Sequence, residues 1–271
     1  MLSAGIIGLG EMGYASAERL AAKDCVMVGF DPKPERVSAA KDLGLTMVDS
    51  PAAVVDGCDG PVLLNVGTVR HADAAWRRPD GALTRIAGRV LVVMSTLSKP
   101  EVERMAAEAR AAGGYVVDAT HSGSRPAARN GTLVFWLAGD PAALDGARPV
   151  LELLGTCLNV VGAEPGMAQV VKLINAVGLA INMTGVSEMI AMAKAHGIDD
   201  TTLMSVLELS SGSNYVTLNW DWVEPMIKKH NVENLHKDLR AALVDATEAD
   251  LTIPVTSAVA NALRSTWPRV R

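Results

Sequence analysis

The chain is short of cysteine, of runs of Lys or Arg, and of long charge-free apolar stretches. Each shortage removes a class of protein. Its three cysteines, Cys25, Cys58 and Cys157, are odd in number and widely spaced among apolar neighbours. Such a set offers neither a disulfide framework nor a metal site and reads as small core residues in a reducing compartment. With 25 Lys and Arg against 30 Asp and Glu, the formal net charge is −5, the wrong sign for a nucleic-acid backbone as partner. The most membrane-like segment, residues 170–193, is interrupted by Lys172, Asn175, Asn182 and Glu188. Its longest charge-free run, 173–187, has 15 residues, fewer than the ~18–20 that span a bilayer. The first apolar run starts within a few residues of Met1, leaving no room for a signal or transit peptide, so a cytoplasmic location is expected. His196, His230 and His236 show no metal-ligand spacing with Cys or carboxylates. No Ser/His/Asp or Cys/His set suggests hydrolysis, and no repeat or low-complexity linker is visible. The 271 residues are enough for two domains.

What is present starts at residue 4. An apolar run leads into Gly8-Leu9-Gly10-Glu11-Met12-Gly13, a helical stretch follows over 14–22, and a second apolar run over 26–30 ends at Asp31. This is the sequence form of a phosphate-binding turn between a buried strand and a helix. The first Gly permits the turn, the second lets the backbone approach a pyrophosphate, and the third lets helix and strand pack closely. The helix then aims free N–H groups and its positive dipole end at the phosphates. A carboxylate at the position of Asp31 accepts hydrogen bonds from the adenosine ribose hydroxyls and repels a 2′-phosphate. NAD is therefore expected over NADP, although Lys33 and Arg36 are near enough to offer a phosphate some compensation. Without the Gly motif, Asp31 would read as a turn residue before Pro32.

Up to about residue 162, short apolar runs at 5–7, 26–30, 61–65, 90–94, 115–118, 132–138 and 157–161 alternate with Ala/Glu/Arg-rich helical segments such as 101–112; residues 149–154 form a shorter one. Strands alternating with helices predict a parallel sheet covered on both faces. Gly131-Thr132 predicts a turn into a late, antiparallel strand. After Gly166 the strand signals fade. Residues 167–196 predict one long helix stopped by Gly197, Asp199 or Asp200 caps a helix over 201–209, and Pro254 opens the last helix. The expected architecture is α/β: a Rossmann-type doubly wound domain over residues 1–162 and an all-α domain over 163–271.

The long helix is apolar almost all round, which predicts burial at the centre of the second domain. Lys172, Asn175 and Asn182 nevertheless fall within about a quarter-turn of one another at 100° per residue. Three polar groups on one buried stripe are costly unless they face a polar cavity or partners; the alternative is a snorkelling Lys with satisfied amides.

Four blocks carry a resemblance to a known family. They are Gly8 to Gly13; Asp118-Ala119-Thr120-His121-Ser122-Gly123-Ser124, which resembles an Asp-Ala-Pro-Val-Ser-Gly-Gly loop; Gly166 through Lys172 to Asn175, which resembles Gly-x-x-x-x-x-Lys-x-x-Asn-Asn; and Lys237-Asp238-Leu239. Together, in this order, they resemble the β-hydroxyacid dehydrogenases, the group of 3-hydroxyisobutyrate dehydrogenase, tartronate semialdehyde reductase and 6-phosphogluconate dehydrogenase. Ser210 to Tyr215 further resembles the hydroxyisobutyrate branch.

The resemblance implies an oxidoreductase moving a hydride between NAD and a small 3-hydroxy acid, with NADP as the lesser alternative cofactor, at a cleft between the two domains. Lys172 would be the general acid/base; lysine suits such work where burial and a nearby cation draw its pKa toward neutrality. Asn175 would orient substrate or Lys172. Ser122, Gly123 and Ser124 would hold the substrate carboxylate side, with His121, Asn214 and Tyr215 also toward substrate. Gly8, Leu9, Gly10, Glu11, Met12, Gly13, Asp31, Val66, Gly67, Thr96 and Lys237 would hold the cofactor. Relatives of this kind are dimers or tetramers joined through the helical domain, so a homo-oligomer is expected.

The departures cluster at the substrate loop. Pro-Val has become Thr120-His121, the second loop Gly is Ser124, the second Asn after the lysine is Ala176, and a Leu-Pro pair is Val66-Gly67. His121 reads equally as a contact to a polar substrate or as a loop histidine bonded locally. Arg125 and Arg129 read as charge for an acidic substrate or as surface residues, and Trp220, Asp221 and Trp222 as aromatic packing or cleft residues. Two other readings remain at this point. An NADPH-dependent imine reductase shares the architecture, but Lys172 and Asp31 argue against it. A non-catalytic dinucleotide-binding module is compatible with the altered loop.

Overall fold

The computed structural model describes residues 1–228 and 233–266; His230 lies outside them. The chain divides into two compact units, Met1–Lys172 and Leu173–Arg271. The division falls ten residues beyond the expected one, because the first turns of the long helix are bonded to the first unit.

In chain order the first unit contains β1 (Ser3–Ile7), α1 (Glu11–Ala21), β2 (Val26–Phe30), α2 (Pro34–Asp42), β3 (Thr46–Met47), α3 (Pro51–Gly57), β4 (Val62–Leu64) and α4 (Val69–Arg77). A 3₁₀ turn (Ala82–Arg85) precedes β5 (Val90–Val93), α5 (Lys99–Ala111), β6 (Tyr115–Ser122), α6 (Ser124–Asn130), β7 (Leu133–Ala138), α7 (Pro141–Leu154) and β8 (Gly155–Gly162); α8 (Met167–Ala195) begins here. The strands form one sheet in the order β3-β2-β1-β4-β5-β6-β7-β8. All neighbours are parallel except β6 and β7. The chain reaches β7 through the short α6, which Gly131 ends in the left-handed region at φ +70°.

Both sheet faces are covered, as the continuous apolar runs require. Leu20, Leu63, Val117, Phe135, Ala147 and Leu151 belong to the core under α1 and α7. Trp76, Ile86, Leu91, Val102 and Met105 belong to the core under α3, α4 and α5. From β1 the chain winds outward to β2 and β3, then crosses back to β4 on the other side. The C-terminal ends of β1 and β4 therefore flank a topological switch point, where doubly wound sheets bind ligands.

Three local expectations are corrected. Residues 149–154 do not form a separate short helix; α7 starts at Pro141, where the Asp140 carboxylate accepts the Ala142 and Ala143 N–H groups, and carries Pro149 within it. Cys157 is exposed, not a core residue, because β8 is an edge strand paired only with β7. The strand read over 115–118 runs on to Ser122.

In the second unit α8 ends before Gly197 (φ +76°). There follow α9 (Asp200–Glu208), capped by Asp199, α10 (Tyr215–Leu218), α11 (Trp220–Lys228), α12 (Glu233–Glu248) and α13 (Pro254–Thr266). Met183 and Val186 of α8 pack with Met204, Val216 and Val223, while Ala180 packs with Leu239, Val259, Ala260 and Leu263. Within this chain α8 is buried along a stripe, not all round: Ile174 is 64% exposed and Met192 68%. By length and composition alone α8 would also suffice to cross a membrane; one stripe of it packs against the helices that follow.

Candidate active site

The Gly motif has the geometry its residues predict. Gly8 turns out of β1 at φ +92°, and a Cβ there would lie 2.3 Å from the Asn65 carbonyl oxygen. At Gly13 a Cβ would stand 2.0 Å from the Gly8 oxygen, so only glycine lets α1 pack against the end of β1. Beside Gly10 the space is open, the nearest atom being an Arg36 nitrogen at 3.9 Å. The α1 N-terminus, with Glu11, Met12 and Gly13 in its first turn, thus faces room for a pyrophosphate.

Asp31, just past β2, is 4% exposed. Its carboxylate accepts the Leu9 N–H at 2.8 Å, the Lys33 N–H at 2.9 Å and the Arg36 guanidinium at 3.2 Å. The carboxylate therefore ties the Gly turn to the end of β2, and Arg36 sits on the oxygen that also holds Leu9. After β4, the Val66 N–H donates to the Ser95 hydroxyl at 2.7 Å, and that hydroxyl donates to the Leu64 carbonyl at 3.1 Å. Gly67 is exposed with open space beside it. Thr96 follows β5 at the same sheet edge. The residues present fit a nicotinamide dinucleotide: a turn that only glycines allow, an open helix start, and a carboxylate at the end of the second strand.

The loop after β6 completes this edge. Along β6, Asp118 and Thr120 share one face and His121 lies on the other, by strand alternation. Gly123 (φ +125°) and Ser124 (φ +57°) turn into α6. Ser124 stands where the resemblance has glycine, yet keeps the left-handed backbone that glycine would supply. The His121 ring meets Phe135, its cross-strand partner, edge to face at 5.8 Å. Part of the residue reaches solvent, but burial of the ring, and secondarily the Lys172 cation, pushes its pKa down to about 3. The imidazole is therefore neutral at ordinary pH.

Lys172, half-buried on α8, donates from Nζ to the His121 carbonyl at 3.1 Å. The amine is thus held at the end of β6 beside Ser122 and Gly123, with Gly8 to Gly13, Val66, Gly67 and Thr96 along the same C-terminal edge of the sheet. Arg125 and Arg129 pair with Glu11 and Glu18 of α1 and act as surface residues bridging α6 to α1.

The remaining site candidates lie in the second unit. Asn175 and Tyr215 are exposed, as is Lys237 on α12. Asn214 caps α10: its carboxamide oxygen accepts the Val216 and Thr217 N–H groups, and its amide donates to the Gly212 carbonyl. Trp220 packs partly against the core of α8, α9 and α10, and Trp222 is exposed.

Sequence reasoning missed Gln169. It is fully buried, as is Asp118. The Asp118 carboxylate accepts the Gly166 N–H at 2.9 Å, the Gln169 N–H at 3.1 Å and the Gln169 side-chain amide at 2.8 Å. Burial raises the Asp118 carboxyl to about 6, against the pull of those donors. Gln169 also accepts the Leu97 N–H at 2.9 Å and donates to the Ser95 carbonyl at 3.2 Å. The available signal was a lone amide three residues before the lysine in an apolar stretch.

Comparison with known proteins agrees with this geometry. Residues 3–162 match the family model of the NAD binding domain of 6-phosphogluconate dehydrogenase, and residues 166–269 that of NAD-binding of NADP-dependent 3-hydroxyisobutyrate dehydrogenase. A 3-hydroxyisobutyrate dehydrogenase of Pseudomonas aeruginosa is 32% identical, over 96% of this chain and 91% of its own. An NAD-dependent L-serine dehydrogenase of the same organism is 33% identical, over 77% and 70%. The solved 3-hydroxyisobutyrate dehydrogenase of Mycobacterium tuberculosis with L-serine superposes with a TM-score of 0.82 at 25% identity, covering 96% of this chain and 92% of that one. Fold and edge geometry define a dinucleotide-binding oxidoreductase. More narrowly, the chain belongs to the β-hydroxyacid dehydrogenase family.

Proposed function

We propose that the protein is an NAD-dependent dehydrogenase of short 3-hydroxy acids, with Lys172 as general acid/base. The observation that carries this reading is the Lys172 amine held 3.1 Å from the His121 carbonyl, beside the loop that resembles the family's substrate loop. Bound along the Gly8–Gly13 edge, a nicotinamide dinucleotide supplies the hydride-accepting and hydride-donating group. The chain supplies the rest. Ser122 offers a hydroxyl and Gly123 an N–H to the substrate carboxylate, and Ser124 keeps that turn in shape. Lys172 takes the proton from the substrate hydroxyl during oxidation and returns it during reduction, a role worth typically 10²–10⁴ in rate. Asn175, less than one turn further along α8, orients the substrate or the amine. Asn214, Tyr215 and Lys237 enter as substrate and cofactor contacts by family resemblance alone.

Asp31 supports NAD. A 2′-phosphate would meet a buried carboxylate that already anchors Leu9, Lys33 and Arg36. The relatives named for 3-hydroxyisobutyrate and L-serine share a 3-hydroxy acid skeleton with a small group on C2, and that skeleton is the proposed substrate class. A spectrophotometric screen of 3-hydroxyisobutyrate, L-serine and related short hydroxy acids against NAD and NADP tests the reading. Reduction of NAD by at least one member supports it; no turnover across the panel, with NAD still bound, favours the non-catalytic module.

A further inference from the structure

We propose that Asp118 and Gln169 are positioning residues for Lys172, setting the axial position and rotation of the start of α8 against the ends of β5 and β6. The inference rests on the acid/base reading of Lys172.

The pair forms a closed network. Both side-chain N–H bonds of Gln169 are used, one on Asp118 and one on the Ser95 carbonyl, and its oxygen takes the Leu97 N–H. Asp118 meanwhile receives two N–H groups from the start of α8, those of Gly166 and Gln169. A third tie comes from Thr120, whose hydroxyl donates to the Ala168 carbonyl at 2.7 Å. Three consecutive residues of the first helical turn, 167–169, are thereby flanked or held by side chains of β6 and by backbone after β5. Lys172 follows Gln169 by three residues, nearly one turn, so it projects from a neighbouring part of the same helix surface. A helix start fixed at this many points has little freedom to slide or rotate, and the lysine amine inherits that precision. The hydrogen bonds of Asp118 and Gln169 described above run to each other and to backbone at the start of α8 and after β5, so their action is through the helix.

The chemistry explains why both residues are needed. Every group facing the Asp118 carboxylate is an N–H donor, and a carboxylate is the side chain with acceptors only. Gln169 is bonded at once to an acceptor (Ser95), a donor (Leu97) and a carboxylate, which an amide can satisfy and a carboxylate or alkyl chain cannot. A displacement of the reacting group by about 1 Å can cost on the order of 10²-fold in rate.

The test uses the full-length protein with NAD and whichever of L-serine or 3-hydroxyisobutyrate it oxidises faster. Asp118→Asn keeps size but sets its NH₂ against the Gln169 NH₂; Gln169→Met keeps volume and removes all three side-chain bonds. Expected for both is a fall in kcat of at least tenfold, a larger primary isotope effect with substrate deuterated at the reacting carbon, and NAD affinity within about threefold of the unaltered protein. Gln169→Glu, of the same size but with no donor for the Ser95 carbonyl, should lower kcat as Gln169→Met does. Lost turnover with unchanged isotope effect and equal loss of NAD binding overturns the inference in favour of a merely structural role. Unchanged kcat in these variants also overturns it. Lys172→Ala, measured in parallel, separates the layers: retained turnover there sinks the acid/base reading itself, whereas an inactive Lys172→Ala beside fully active Asp118 and Gln169 variants sinks the positioning role alone.

Discussion

Replacing Asp31 by Asn should shift cofactor preference toward NADP without unfolding the protein. The carboxylate is almost fully buried and accepts three hydrogen bonds, from Leu9, Lys33 and Arg36. An Asn oxygen in the same place still accepts the Leu9 N–H, so the Gly turn keeps its tie; the Lys33 N–H loses its acceptor, at about 1 kcal/mol. The electrostatic change is larger. Two unit charges ~4 Å apart at an effective permittivity of ~20 repel by about 4 kcal/mol. Screening cuts this at a half-open site, where the Arg36 side chain is 38% exposed. About 2 kcal/mol remains, roughly a thirtyfold change in the ratio of kcat/KM for NADP over NAD. Release of Arg36 from its carboxylate partner acts in the same direction, since a guanidinium matches a phosphate. The assay is initial rate against each cofactor at saturating substrate, with thermal unfolding as the control on folding. A ratio that moves by less than about threefold, or toward NAD, refutes the placement of the adenosine ribose at Asp31.

Three further outcomes follow from the geometry. Ser124→Gly relieves a left-handed backbone at φ +57° and should raise stability by about 1 kcal/mol, seen as a higher denaturation midpoint with kcat within twofold; a lower midpoint contradicts it. Gly13→Ala would drive a Cβ to 2.0 Å from the Gly8 oxygen. It should lower stability by about 3 kcal/mol or more and weaken NAD binding at least tenfold, and unchanged binding by titration counts against the turn geometry. Stability against pH should show two opposed contributions from β6. His121 has its folded pKa lowered from 6.5 to about 3, so its contribution is complete above about 6.5 and is lost as pH falls toward 3. Asp118 has its folded pKa raised from 3.8 to about 6, so its contribution is complete below 3.8 and is lost as pH rises toward 6. Between pH 4 and 6 each group accounts for nearly one proton, with opposite sign, so the stability of the unaltered protein should change little there. His121→Val should make stability fall from pH 4.5 to 6.5 and Asp118→Asn should make it rise, read as denaturant midpoints at those two pH values; identical slopes in all three proteins contradict the assignment.

The sheet was legible because its central strands β1, β4 and β5 are buried on both faces and so appear as unbroken apolar runs; only β3, two residues long, gave no signal. The end of β6 was read short because Thr120, His121 and Ser122 are polar, although the ladder with β7 continues through them. Hydropathy misled on α8. Composition does not say which side of a helix is covered, and Ala176, Ala180, Met183 and Val186 are buried while Ile174 and Met192 are not. The cofactor turn was readable residue by residue, since its glycines answer to steric demands of the local chain. Gln169 was not, because its importance comes from Asp118, Ser95 and Leu97, which lie 51, 74 and 72 residues away in sequence. Such closure exists only once β5, β6 and α8 are assembled.

The most direct measurement is single-turnover hydride transfer in Lys172→Ala beside an independent titration of NAD. The account predicts a rate lower by 10²–10⁴, with the dissociation constant for NAD within about twofold of the unaltered protein. A rate preserved to within threefold would contradict it.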